Sequence, residues 1–263
     1  MYPEIHFGPL TLQTFGLMFA LAFLAAGALI AKRLKEIGKP VDWAYEIAFA
    51  ALLGGIVGSR VYFLIQNYDS VKDDLLGNLF SGSGLVWYGG AIGGALAVLL
   101  WAWYRDFLRL ALLDLVAPAL ALGYAIGRCG CQLSGDGDYG KAWDGPWAMS
   151  YPDGTVPTDR TVHPTPIYET LAMGLGAWVL WQLRDRFRTG VLFAIYLVYA
   201  GAERFLVEFI RRNTDAALGL TSAQLESLAM MVAGAIWIYW VKHRHRTLSR
   251  VEASATTDLR PAG

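Results

Sequence analysis

The chain has 263 residues, 55% of them hydrophobic and 17% charged, with a mean hydropathy of +0.38. Its apolar residues gather into runs of about 20, the length a helix needs to cross a hydrocarbon layer of ~30 Å, and this excludes an ordinary soluble domain. The formal net charge of zero points to no partner by itself, and a nucleic-acid partner is not expected.

Seven apolar runs follow one another, at about 14–31, 45–65, 84–104, 111–132, 166–183, 190–210 and 222–241. Lipid cannot satisfy backbone polar groups, so each run is expected to be a helix. The expected fold is an all-α integral membrane protein with seven transmembrane helices. Run one, TFGLMFALAF onward, has Glu4 before it and KRLK after it. That is the reverse of a secretory signal peptide, so it is expected to stay in the protein. Run two carries Arg60 within GGIVGSRVYFLI, and the connection after it contains LLGNLF, a candidate short interfacial helix. Run three opens with WYGGAIGG, which includes Tyr88, Gly89 and Gly90.

Run four ends in GRCGCQLSGDGDYG, residues 127–140. The longest connection follows, from about 134 to 165, and holds WDGPWAMSYPDG. Its Pro, Gly and Trp content predicts an ordered cap rather than a tether. Run five is entered through HPTPIYET, run six ends in YAGAERFLVEFIRR, and run seven begins TSAQLESLAMMVAG. Residues 1–245 are expected to form one transmembrane domain and 246–263 a polar, disordered cytoplasmic tail. Glycines cluster inside runs two to four, where they allow either close helix approach or backbone contact with a lipid headgroup. Cys129 and Cys131 are too close for ordinary disulfide geometry and too few for a structural zinc site.

The cations are asymmetric. Lys32, Arg33, Lys35, Lys39, Arg105, Arg109, Arg184, Arg186, Arg188 and the tail from Lys242 fall on one side. The other side holds only Lys72, Lys141, Arg160, Arg211 and Arg212. This places the N-terminus outside and the C-terminus in the cytoplasm. It also puts Arg60, Arg128 and Arg204 in the outer half of the membrane, where a buried charge costs roughly 2.5–3.5 kcal/mol on insertion scales. Three guanidiniums at similar depth suggest an anion, and arginine binds phosphate through paired hydrogen bonds. The plainer alternative is separate structural ion pairs with Glu46, Asp114 or Glu169. Arg204 and Glu208 share a helix face at i, i+4. Tyr88 is either an interface anchor or part of a polar site. His163, Tyr168 and Glu169 lie at the outer edge of run five, with helix capping as the plainer role for His163.

These segments resemble the prolipoprotein diacylglyceryl transferase family. GRCGCQLSGDGDYGK is similar to its G-R-x-G-N-F-x-N-G-E-x-x-G signature and YGGAIGG to its H-G-G-x-x-G segment. HPTPIYE is similar to its H-P-x-Q-x-Y-E, and RFLVEFIR to its R-F-x-x-E-x-x-R. The matches occur in family order across nearly the whole chain. The resemblance implies transfer of the diacylglyceryl group of phosphatidylglycerol to the lipobox cysteine of prolipoprotein signal peptides. A thioether forms and glycerol phosphate leaves, without cofactor or metal. It also implies a monomer in the bacterial inner membrane, with its site toward the outer leaflet.

Carried over by motif, Arg128, Arg204, Tyr88 and Glu208 are the expected catalytic residues. Arg60, Gly89, Gly90, Gly127, Asp136, Gly140, His163, Tyr168 and Glu169 are the expected substrate contacts. The arginines would stabilise the departing phosphate and raise the thiolate fraction of the acceptor. Glu208 would hold Arg204, and Tyr88 would orient the headgroup or relay a proton. The chain departs from the pattern at several positions. Tyr88 replaces a histidine, Cys131 and Ser134 replace asparagines, Asp136 replaces a glutamate, and one extra residue precedes Gly140. Phe15 stands where tyrosine is frequent and Pro166 where glutamine is. The departures leave two alternatives: transfer of a phospholipid-derived group to another acceptor, or non-catalytic phospholipid binding.

Overall fold

A computed structural model describes residues 1–8, 10–68, 86–214 and 216–250. The LLGNLF segment and the tail from 251 lie outside the described residues. Among the described residues seven helices follow the seven apolar runs: α1 (Thr14–Glu36), α2 (Trp43–Gln66), α3 (Trp87–Tyr104), α4 (Leu110–Ser134), α5 (Thr165–Leu183), α6 (Val191–Glu208) and α7 (Ser222–His245). Four of them, α1, α2, α4 and α7, are long and apolar enough to cross a membrane. Large apolar side chains such as Leu24, Phe49, Leu100 and Ile236 point outward, as expected of a surface solvated by lipid rather than water.

Among the described residues two short hairpins accompany the helices, which the expectation of an all-α chain did not include. β1 (Glu4–Phe7) pairs antiparallel with β2 (Leu10–Gln13), and Gln13 donates to Glu4 at 2.7 Å. β3 (Met149–Tyr151) pairs antiparallel with β4 (Thr158–Val162) inside the long connection. Hairpins satisfy the backbone of segments too short to form helices. The long connection is ordered around stacked Tyr139 and Tyr151 rings, 4.7 Å apart, packed with Val162.

The chain forms two compact units, Met1–Leu29 with Leu113–Gly263, and Ile30–Leu112. In the first, α4, α5 and α6 pack through Ala121, Ala125, Met173, Ala177, Leu180, Leu192 and Ala200. α6 and α7 approach closely at two glycines. A Cβ at Gly201 would lie 2.7 Å from the Ser227 carbonyl oxygen, and one at Gly234 2.7 Å from that of Ala194. Asp114 caps α6 by accepting from the backbone N–H of Gly190 (2.6 Å) and Phe193 (2.9 Å). α7 starts on a capping box between Thr221 and Gln224, which satisfies two otherwise orphaned backbone groups. Part of the expected tail is paired, since Arg188 N–H donates to Leu248 O and Arg250 N–H to Arg186 O.

In the second unit, α2 and α3 run antiparallel along a glycine seam. A Cβ at Gly58 would sit 2.3 Å from the Gly89 carbonyl oxygen, and one at Gly93 2.3 Å from that of Gly54. Glu46 closes one end of the pair by accepting from Trp101 Nε1 (2.6 Å) and Arg105 Nε (2.9 Å).

Candidate functional site: an arginine–carboxylate cluster

All the cluster residues belong to the first unit, where the C-terminal end of α4, the first turns of α5 and the C-terminal end of α6 converge. Glu169 of α5 stands at the centre with no exposed surface. Its Oε2 lies 3.1 Å from Arg128 Nε and 3.4 Å from Arg211 Nη1. Its Oε1 lies 3.4 Å from Arg204 Nη1 and accepts from Tyr124 Oη at 3.0 Å. Asp138, on the segment after α4, bridges Arg128 and Arg211 with its two oxygens. Glu208 accepts from Asn213 Nδ2 (2.6 Å) and Thr221 Oγ1 (2.9 Å) through Oε1. Its Oε2 makes no aligned hydrogen bond, so the 2.9 Å contact with Arg204 Nη2 is an ion pair alone.

Three arginines thus meet three carboxylates, and the set is formally neutral. Charges desolvated to this degree persist only when they are paired and hydrogen-bonded. All three Arg211 side-chain nitrogens face carboxylates, and its side chain is 8% exposed. Arg204 is the most open of the three at 22%, against 14% for Arg128. Partial burial would raise the Asp138 pKa, but Arg128 and Arg211 outweigh it and hold the carboxyl below its ordinary value.

Backbone contacts fix this geometry. Thr165 Oγ1 donates to Asp138 O at 2.5 Å, Gly140 N–H to His163 O at 2.8 Å, and Lys141 N–H to Ile210 O at 2.7 Å. Gly140 is required there by space, since a Cβ would lie 2.5 Å from the Ile210 carbonyl oxygen. Its place in the structure is therefore a packing position between three segments.

The structure sorts the sequence-predicted residues. Arg128, Arg204, Glu208 and Glu169 come together. Glu169, expected to touch substrate, is fully buried under three arginines and Tyr124. Glu208 is buried against Arg204, Asn213 and Thr221. Arg60, 8% exposed, and Tyr88, 40% exposed, belong to the second unit. Gly89 packs on Gly58 and Tyr62, and Gly90 faces the Gly55 carbonyl oxygen. Gly127 has nothing within 4 Å of a built Cβ. Asp136 accepts from the backbone N–H of Asp138 at 3.2 Å.

His163 does not cap α5, whose N-cap is Pro164 without a side-chain hydrogen bond. Its ring stacks on Trp143 at 4.4 Å, and its Nδ1 lies 3.4 Å from Tyr168 Oη. Partial burial lowers the His163 pKa. Tyr168 Oη also accepts from Trp147 Nε1 at 2.8 Å. Cys129 and Cys131 are both free thiols. Cys131, Asp136 and Asp138 place donor atoms within 4.8 Å of one another. Two guanidiniums already hold Asp138, which makes that corner hostile to a cation.

Sequence reasoning missed three members, Tyr124, Asp138 and Arg211. A signal for Arg211 was present, because it closes RFLVEFIR. Asp138 follows Asp136 within a glycine-rich stretch, and spacing alone does not choose between them.

The model of the prolipoprotein diacylglyceryl transferase family matches residues 4–240. The chain belongs to the prolipoprotein diacylglyceryl transferase family. It is 34% identical over 230 residues to the phosphatidylglycerol–prolipoprotein diacylglyceryl transferase of Clostridium tetani, covering 86% of this chain and 91% of that protein. A relative of the same name from Aliivibrio fischeri is 33% identical over 267 residues, covering 96% and 91%. One from Leptospira interrogans is 32% identical over 228 residues, covering 76% and 72%. The family match spans every residue of the cluster, so the transferase family and the arginine–carboxylate centre describe the same part of the chain.

Proposed function

We propose that the chain transfers the diacylglyceryl group of phosphatidylglycerol to the lipobox cysteine of prolipoproteins. The acceptor sulfur attacks the terminal glycerol carbon of the diacylglyceryl group and a C–S bond forms. The C–O bond to phosphate breaks, glycerol phosphate leaves with that electron pair, and the thiol proton passes to solvent. One observation carries this reading: Arg128 and Arg204 share a single buried carboxylate, Glu169. They therefore address one ligand from two helices. Fixed donors aimed at a developing charge are commonly worth about 3–4 kcal/mol each in the transition state.

In this reading Glu208 positions Arg204, and Tyr88 orients the headgroup or relays a proton. Arg60, Gly127, Asp136, His163 and Tyr168 contact lipid or signal peptide. All seven helices cross the bacterial inner membrane, with the N-terminus outside, the C-terminus in the cytoplasm and the site toward the outer leaflet. The protein acts as a monomer with one transmembrane domain, a cap over 134–165 and a cytoplasmic tail.

The test incubates purified protein with labelled phosphatidylglycerol and a lipobox peptide. A gain of one diacylglyceryl unit on the peptide is expected, lost in Arg128→Ala and Arg204→Ala. The departures at Tyr88, Cys131 and Ser134 favour a second reading with another acceptor. Glycerol phosphate release without peptide modification would select it. Neither product would select a non-catalytic lipid binder.

A further inference from the structure

Three carboxylates neutralise three guanidiniums in the centre, and a fourth carboxylate stands beside them. Glu203 immediately precedes RFLVEFIR, so the motif does not account for it. It is half-buried, and among the described residues it makes no hydrogen bond and no ion pair.

The packing of α6 brings it to the centre. Glu203 lies four residues after Tyr199 and three after Ala200, so the three share one helix face. That face packs on α4 and α5. Ala200 belongs to the core with Ala121, Ala125 and Met173, and Tyr199 Oη donates to Ala172 O at 2.5 Å. α7 packs elsewhere on α6, at Ala194 and Gly201. The residue after Glu203, Arg204, reaches Glu169. The charged and titratable groups that act on Glu203 are Arg128 and Tyr124 of α4, Glu169 of α5, Tyr199 and Arg204 of α6, and Arg211 beyond it.

Charge decides what such a group can do. Asp138, Glu169 and Glu208 are each held by at least one arginine, and protonating any of them would strand a guanidinium. An ionised Glu203 adds a negative charge that none of the three arginines is left to pair. Of the four, it is the carboxylate that gains and loses a proton without breaking an ion pair. Thioether formation needs that capacity, because a thiol of pKa about 8.5 is mostly protonated at neutral pH.

We propose that Glu203 is the proton acceptor of the transfer step. The proposal rests on the transferase reading and adds a residue to it. As the acceptor sulfur forms the C–S bond, its proton moves to a carboxylate oxygen of Glu203. The C–O bond to phosphate breaks, and glycerol phosphate leaves with that electron pair. Glu203 then gives the proton to water and is ionised for the next turnover. Arg128 and Arg204 keep their protons throughout. The surplus negative charge passes from Glu203 to sulfur and then to the departing phosphate, so no step adds a charge to the site.

The experiment measures transfer from phosphatidylglycerol to a lipobox peptide by the full chain in lipid nanodiscs, across neutral pH. A general base is typically worth about 100-fold or more. Glu203→Gln should lower kcat by about that factor and leave KM for phosphatidylglycerol unchanged. The rate of the unaltered protein should rise with pH and level off once Glu203 is ionised. That of Glu203→Gln should climb on toward the ordinary thiol pKa of about 8.5. Glu203→Asp, which keeps a carboxylate on a shorter stem, should restore part of kcat. A full-rate Glu203→Gln, an unchanged pH profile or a loss confined to KM overturns the proposal. Glu203→Gln breaks no ion pair, so its melting temperature should match that of the unaltered protein, and a clear fall would mark a structural role instead. If the unaltered protein modifies no peptide, the transferase reading fails and the proton role with it. An active unaltered protein with an unaffected Glu203→Gln sinks the proton role alone.

Discussion

Glu169 shows how a residue's surroundings set its role. A carboxylate with no exposed surface, facing three guanidiniums and a tyrosine hydroxyl, is held there by charge pairing. Removing one partner of such a network leaves uncompensated buried charge, which typically costs about 3–5 kcal/mol. Glu169→Ala should therefore lower thermal stability in detergent by roughly that amount and abolish transfer. Glu169→Gln keeps the shape and some hydrogen bonds, and should lose less stability. Equal loss from both would argue against an electrostatic role. Asp138 gives a pH signature. Its folded pKa is depressed below the ordinary value of 3.8 by Arg128 and Arg211. The folded state therefore binds its proton less readily than the unfolded state, and the contribution is full above the unfolded pKa. It is lost as pH falls through the folded pKa. Acid unfolding followed below about pH 4 should be flatter in Asp138→Asn than in the unaltered protein.

At the scale of elements, the glycines fall into two classes that the sequence presents identically. Gly58 and Gly93 lie where α2 and α3 touch backbone to backbone, and a Cβ there meets a carbonyl oxygen at 2.3 Å. Forcing in a side chain typically costs about 1–3 kcal/mol, so Gly58→Ala should lower the melting temperature clearly. Gly127 has open space around its Cα. Gly127→Ala should leave stability unchanged or slightly raised, by about 0.5–1 kcal/mol at most for a helical position. Activity of Gly127→Ala then reports whether substrate uses that face, since a folding defect is not in play.

For the whole molecule, the distribution of Lys and Arg argues for an external N-terminus and a cytoplasmic C-terminus. Glu4→Cys and Arg250→Cys, each made with Cys129 and Cys131 replaced by Ser, test this in intact cells. An impermeant maleimide should label the first from outside and leave the second unlabelled until the membrane is broken. Labelling of both from outside would reverse the assignment. The two compact units divide the predicted site: the arginine–carboxylate centre lies wholly in one, while Arg60 and Tyr88 lie in the other.

Hydrophobicity and length by themselves marked out the seven described helices, four of them long and apolar enough to cross a membrane, because lipid leaves a backbone only its own helix to bond with. Arginines in apolar surroundings likewise announced a polar site, since such charges are costly anywhere else. Motifs in family order named Arg128, Glu169, Arg204 and Glu208, but not Tyr124, Asp138 or Arg211 as members of that cluster. What only the tertiary structure decided was the pairing. Glu169 is central because α4, α5 and α6 bring Arg128, Arg204 and Arg211 to it from sequence separations of 41, 35 and 42 residues. No local periodicity encodes contacts that far apart. Asp138 joins the cluster by bridging Arg128 and Arg211, while Asp136 accepts from the Asp138 backbone N–H, a division of roles that spacing does not encode.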